Sequence, residues 1–120
     1  MAGPDPLATF HAALEALLEG RDVDGFMALW AADDDITLWG SELHERDAGR
    51  DQIRAHAQAI VDSGKDLRFD WDDTSVHVEG EVAWVRAAGA ANGSPYRLTV
   101  VLVRRSGEWR LHTFSGSEPR

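Results

Sequence analysis

From Leu67 onward the apolar residues recur at every second position, and this period constrains the fold more than any other feature. Four runs carry it: RFDWDDTSVHVEG, EVAWVRAAGAA, PYRLTVVLVRRS and GEWRLHTFSGS. Glu79-Gly80, Asn92-Gly93 and Ser106-Gly107 separate them. Asn-Gly is a strong hairpin signal, because both central residues of the tight turn need positive φ. The runs therefore predict an antiparallel meander of long strands. A strand of about 12 residues spans roughly 40 Å and must twist and curl. Asp72-Asp73-Thr74 and Gly89 are the expected places for a bulge or bend.

The first half has a helical period instead. Asp5 can cap a helix with Pro6 at its first position, and Leu7, Phe10, Leu14, Leu17 and Leu18 form its stripe up to Gly20. Asp22 can cap a second helix with the stripe Val23, Phe26, Met27 and Trp30, ended by Asp33-Asp34-Asp35. Residues 35–40, DITLWG, read as a short strand. Gly49 precedes a third helix with the stripe Ile53, His56, Ala57, Ile60 and Val61, closed by Ser63-Gly64. The expected fold is α+β: three N-terminal helices packed on a curled antiparallel sheet that closes over them as a cone with a mouth. One domain over residues 1–120 is expected.

Charge and composition narrow the function. A net charge of -9 with scattered basic residues predicts no nucleic-acid binding. Without cysteine there is no disulfide, zinc-thiolate site or thiol nucleophile. No apolar run approaches the roughly 20 residues of a membrane helix. MAGPDPLATF lacks the basic and apolar segments of a secretory signal, so a cytoplasmic protein is expected. No cofactor is expected, and no metal. His11, His44, His56, His77 and His112 contain no pair at helical i,i+4 spacing. In DWDDT, strand alternation places Asp70 and Asp72 on one face and Asp73 on the other, as on a solvated rim.

Three stretches, GRDVDGFMALWAADDDITLWG, GRDQIRAH and LVRRSGEWRLHTFSGS, together with the strand spacing, resemble the nuclear transport factor 2 / ketosteroid isomerase superfamily in its SnoaL-like branch. The resemblance implies the cone-shaped, cystatin-like fold. It also implies that HERDAGR crosses the mouth of the cone, with His44 and Glu45 in solvent. Functions in the superfamily range from isomerases, cyclases and epoxide hydrolases to assembly domains, so the site must decide. The isomerase base falls near Trp39, its tyrosine near Leu14 and its acid near Val101, and all three are apolar here. Such side chains can neither take a proton nor donate to an enolate. For the epoxide-hydrolase pattern, Arg86 is the candidate arginine, but hairpin counting sets it opposite Thr74 or Ser75 rather than an aspartate.

The same counting sorts the sheet into two faces. Trp84, Val101 and His112 form one row, with Arg86, Thr99 and Phe114 beside it. The opposite face carries Ala83, Val85, Leu98, Val100, Leu102, Leu111 and Thr113, with Trp109 in phase. The mixed face is expected to line the cone, and the uniform one to pack on a second subunit through Val85, Leu98, Val100, Leu102 and Leu111. The reverse assignment is the alternative. The candidate pocket is Trp30, Trp39, His56, Trp71, Trp84, Arg86, Thr99, Val101, His112 and Phe114. His56, His112 and Glu42 are the candidate acid-base groups. The expected ligand is a small apolar or partly oxygenated molecule, and the expected assembly a homodimer. The competing reading is a non-catalytic dimerisation or assembly module whose cone is filled by tryptophan. An open cavity of at least about 300 Å³ touching His56 or His112 favours the ligand.

Overall fold

Asp5 starts the first helix as the sequence predicts. In the computed structural model, which describes residues 5–40 and 46–118, its carboxylate accepts from the Leu7 amide at 2.9 Å. Helix α1 spans Pro6–Leu14 and continues as a π-helical turn, Glu15–Glu19, that ends at Gly20. Helix α2 spans Val23–Ala28, and Asp22 caps it by accepting from the Gly25 amide at 2.9 Å.

Strand β1 is Thr37–Trp39, and strand β2 is Arg46–Ala48, paired antiparallel to it. The stretch containing β2 had read as a crossing loop, because three residues are too few to show a period. Helix α3, Gly49–Ser63, follows directly. Its Gln52 side chain reaches back to accept from the Ala48 amide at 2.8 Å. Arg50 donates to the Ala31 and Met27 carbonyls at 3.2 and 3.0 Å, tying α3 to the end of α2. Gly64, at φ 68°, supplies the left-handed stop.

The meander forms as β3, Phe69–Glu79; β4, Val82–Ala91; β5, Ser94–Arg105; and β6, Glu108–Ser117. Asn92 and Gly93 take φ of 50° and 85°, as the predicted tight turn requires. The six strands run in the order β2-β1-β6-β5-β4-β3. Strand β1 lies parallel to β6, so the sheet is mixed rather than wholly antiparallel. Hairpin counting cannot find a partner so distant in sequence.

Two bulges correct the counted rows. In β3 the register slips at Asp72, opposite Gly89, so Asp73 rather than Asp72 shares the face of Asp70. In β6 the extra residue is His112: Val101 lies opposite Thr113, while Leu102 lies opposite Leu111. Phe114 therefore sits opposite Val100, and Ser115 opposite Thr99.

The two sheet faces are exchanged relative to the favoured expectation. Ala83, Val85, Leu98, Val100, Leu102 and Leu111 are at most 2% exposed within the single chain. They pack in one core with Phe10, Ala13, Phe26, Met27, Ile53 and Ala57 from the helices. Three helices with apolar stripes need a continuous apolar partner, and only the uniform face offers one. The interface expected through Val85, Leu98, Val100, Leu102 and Leu111 is thus ruled out, because those side chains are the interior of the fold. Trp84, Arg86, Thr99 and Val101 point away from the helices. Trp109, expected on the subunit-packing face, is buried within the single chain, with the Arg104 guanidinium 5.0 Å from its ring centroid. Among the described residues, no helix is long and apolar enough to cross a membrane.

Candidate functional site

The inner sheet face and the helices do not close completely. A cavity of about 340 Å³ remains at the mouth of the cone. Leu14, Leu17, Phe26, Leu38, Ile60 and Phe114 supply its apolar walls. The π-helical turn places Leu17 and Leu18 there, one wide turn beyond Leu14. Polar groups gather at the rim: His56, Asn92, Ser94, Tyr96 and Glu118. Mostly apolar walls with a few placed polar groups are the usual make-up of a small-molecule site.

His56 is held by Asp47. Residues directly opposite in a sheet share a face, and Asp47 lies opposite the buried Leu38. Strand β2 therefore aims Asp47 inward, over α3. His56 stands one turn beyond Ile53, on the same side of the helix. The two meet with Nδ1 2.5 Å from the carboxylate, and their side chains are 17% and 21% exposed. With Asp47 ionised, Nδ1–H donates to it, which fixes the tautomer and assigns proton acceptance to Nε2. An imidazole oriented by a carboxylate at the edge of an apolar cavity is equipped to move a proton.

Tyr96 lines the cavity from β5 and depends on Gly116. A Cβ at Gly116 would lie 1.9 Å from the Tyr96 hydroxyl oxygen. The Tyr96 ring also packs on Phe69, with centroids 5.3 Å apart. Gly116→Ala is expected to drive the ring off the sheet into the cavity. Binding of an apolar probe should weaken at least about tenfold, with about 1–3 kcal/mol lost in thermal unfolding. The double variant Gly116→Ala/Tyr96→Phe should still bind poorly if ring position alone decides.

The ten pocket residues read from the sequence fall into three groups. Trp39, His56 and Phe114 line the cavity, with Trp39 half exposed at the rim. Trp30 and Trp71 stand behind its wall: Trp30 against Phe26 and Phe114, and Trp71 stacked on Phe69 at 5.0 Å. Among the described residues, the Trp30 Nε1 is buried without a hydrogen-bond partner. Trp84, Arg86, Thr99, Val101 and His112 are outside the cavity, because the sheet faces are exchanged. Arg86 lies opposite Ser75, as counted. Glu42, His44 and Glu45 lie outside the described residues.

His112 has its own surroundings. Its Nε2–H points to Asp35 at 2.9 Å, and Nδ1 lies 2.8 Å from the Thr113 hydroxyl. Asp33, Asp35 and His112 have ligand-type atoms within 4.8 Å of one another. Asp33 is already engaged by Arg105 at 2.8 Å, and that hydrogen bond holds its carboxyl below the ordinary range. His56 and His112 are therefore separate and do not form one acid-base pair.

Sequence reading missed Asp47, Tyr96 and Glu118. Tyr96 is the chain's single tyrosine and shares the strand phase of Leu98 and Val100, a phase that had been assigned to subunit packing. Asp47 could have been found from Gly49, which turns the chain from a strand into a helix folding back over it. Glu118 gave no signal.

The profile of the SnoaL-like domain family matches residues 7–120. No curated protein matches the sequence. Solved structures of the same fold include an NTF2-like protein of unknown function from Pseudomonas putida KT2440, with TM-score 0.80 and 21% identity over 92% of this chain and 82% of that one. A candidate calcium/calmodulin-dependent protein kinase type II association domain from Thiobacillus denitrificans gives TM-score 0.80 and 21% identity over 100% and 99%. A candidate ketosteroid isomerase from Shewanella frigidimarina gives TM-score 0.79 and 18% identity over 96% and 98%.

Proposed function

The chain belongs to the SnoaL-like family, with its NTF2-like, cystatin-like fold, and from that premise we propose that it binds a small, largely apolar, partly oxygenated molecule in the cone and acts on it by acid-base chemistry through His56 and Asp47. The observation that carries this reading is the Asp47–His56 hydrogen bond at the edge of the 340 Å³ cavity. An orienting carboxylate has little use beside a filled core, whereas it sets the tautomer of a proton-transferring imidazole. Tyr96 supplies a hydroxyl to meet an oxygen of the ligand. The apolar walls hold the rest of the molecule and exclude water.

This chemistry is not that of the ketosteroid isomerases, whose base, tyrosine and acid positions are apolar in this chain. The resemblance sets the base near Trp39, the tyrosine near Leu14 and the acid near Val101. Val101 is not at the cavity at all. The competing module with a filled cone is disfavoured by the size of the open cavity.

The test is proton exchange on 2-tetralone, a bicyclic ketone small enough for the cavity. In D2O the wild-type protein should exchange its α-protons faster than buffer does, with saturation in ketone. His56→Ala should lose the added rate. Exchange equally fast in wild type and His56→Ala would remove the acid-base assignment.

A further inference from the structure

Asn92 sits in the tight turn between β4 and β5 and carries more chemistry than the turn needs. Its φ of 50° is the left-handed value that the turn demands. Its Oδ1 accepts from the Arg68 backbone amide at 2.7 Å, and its own backbone amide donates to the Arg68 carbonyl at 2.8 Å. These two bonds tie the hairpin to the chain entering β3. Aspartate would do both jobs, since Asp-Gly suits the same turn and a carboxylate accepts the same bond. Only the carboxamide adds donors. A backbone N–H can be met only by the amide oxygen, so the Arg68 bond fixes which way the carboxamide is turned. Among the described residues, nothing accepts from the Asn92 Nδ2.

Ser94 opens strand β5 and shares the phase of Tyr96 and Leu98, so its side chain is on the inner face. Its hydroxyl is likewise without a partner among the described residues. Asn92 and Ser94 both line the 340 Å³ cavity. Two unused donors therefore stand together at one end of it. The Asp47–His56 pair stands at the other end, beside β2 and β1. The sheet order sets β6 and β5 between β1 and β4. With strands about 4.8 Å apart, the two ends are separated by roughly 14 Å along the curled sheet. A fused bicycle laid across that width presents one end to each.

We propose that Asn92 and Ser94 are specificity-determining residues, which select ligands bearing a second oxygen acceptor at the end remote from His56. This rests on the reading of the cone as a small-molecule site with His56 as its base. The second oxygen is a neutral carbonyl rather than a carboxylate. Glu118 shares the rim, and the chain's net charge of -9 disfavours an anionic end group. The two donors also choose between the end-to-end orientations of the molecule, and so set which carbon is presented to His56.

Isothermal titration calorimetry with 6-acetyl-2-naphthol and 6-isopropyl-2-naphthol tests this. The two probes have nearly the same shape, and only the first has the second acceptor. The readout is the ratio of their affinities, which cancels any change in the cavity that affects both. Asn92→Asp keeps the turn and the Arg68 bond but offers the carbonyl an acceptor. It should shift the ratio against the acetyl probe by at least about tenfold. Ser94→Ala should shift it about threefold in the same direction. Circular dichroism checks the fold, and should Asn92→Asp misfold, Ser94→Ala alone decides. A ratio unchanged by the substitutions would overturn the inference while leaving the cone as a ligand site. Failure of both probes and of 2-naphthol to bind the wild type would remove the ligand reading, and this inference with it.

Discussion

Gly89→Ala is expected to cost about 3 kcal/mol or more and to lower the melting temperature by on the order of 10 °C. The bulge at Asp72 presses the Asp70 carbonyl onto strand β4. A Cβ at residue 89 would sit 2.0 Å from that oxygen and 2.9 Å from the Trp71 Cα. Both are backbone atoms, so no side-chain rotation relieves the clash. The strand pair must give up the bulge or separate. Giving up the bulge slips the register by one residue, which turns Phe69 and Trp71 away from the inner face. Those rings stack at 5.0 Å and support the cavity wall at Tyr96. Gly107→Ala is the control: its φ of 80° is unfavourable for alanine, but nothing lies within 4 Å of the added Cβ. It should cost only about 1–2 kcal/mol. Chemical denaturation of both variants gives the comparison, and equal losses would refute the close-approach argument.

Asp47→Asn is expected to reduce any His56-dependent turnover about 10²–10⁴-fold while leaving binding of an apolar probe nearly unchanged. The substitution keeps the size and contacts of the side chain. It changes what the side chain offers Nδ1, since an amide can donate where the carboxylate could only accept. The imidazole then settles with its proton on Nε2, the nitrogen meant to accept one from the ligand. His56→Ala should reach the same low rate. The double variant should be no worse than either single one, because the pair acts as a unit. A two-part readout, kcat beside KM for 2-tetralone exchange, separates this from a structural loss. A fall in kcat at constant KM supports orientation of the base. A rise in KM alone would mean that Asp47 only shapes the mouth.

Most of the architecture was legible because periodicity and turn chemistry are local. Asp5, Asp22, Gly64, Asn92 and Gly93 all do in the structure what their residue types imply. The failures came from interactions that are not local. The parallel partner of β1 lies at the far end of the chain. The face assignment turned on whether helices or a second subunit cover the uniform side, and composition alone favours neither. One unpredicted bulge, at His112, was enough to bring Phe114 onto the inner face opposite Val100, while the exchange of faces took His112 out of the site. The β3 bulge, by contrast, was expected at Asp72 and Gly89, because a carboxylate run and a glycine break a strand visibly. The candidate site was the least legible part. His56 was found from its place on an apolar stripe. Its partner Asp47 was hidden in a charged stretch, and Tyr96 was hidden by the inverted faces.

The central claim is that a small molecule occupies the cone beside His56. Chemical-shift mapping by NMR with 2-naphthol, an apolar bicycle bearing one hydroxyl, tests it most directly. Saturable shifts confined to Leu17, Phe26, His56, Tyr96 and Phe114, weakened at least about tenfold by His56→Ala, are the expected result. Shifts confined to the outer face around Trp84 and Val101, or none at millimolar probe, would contradict it.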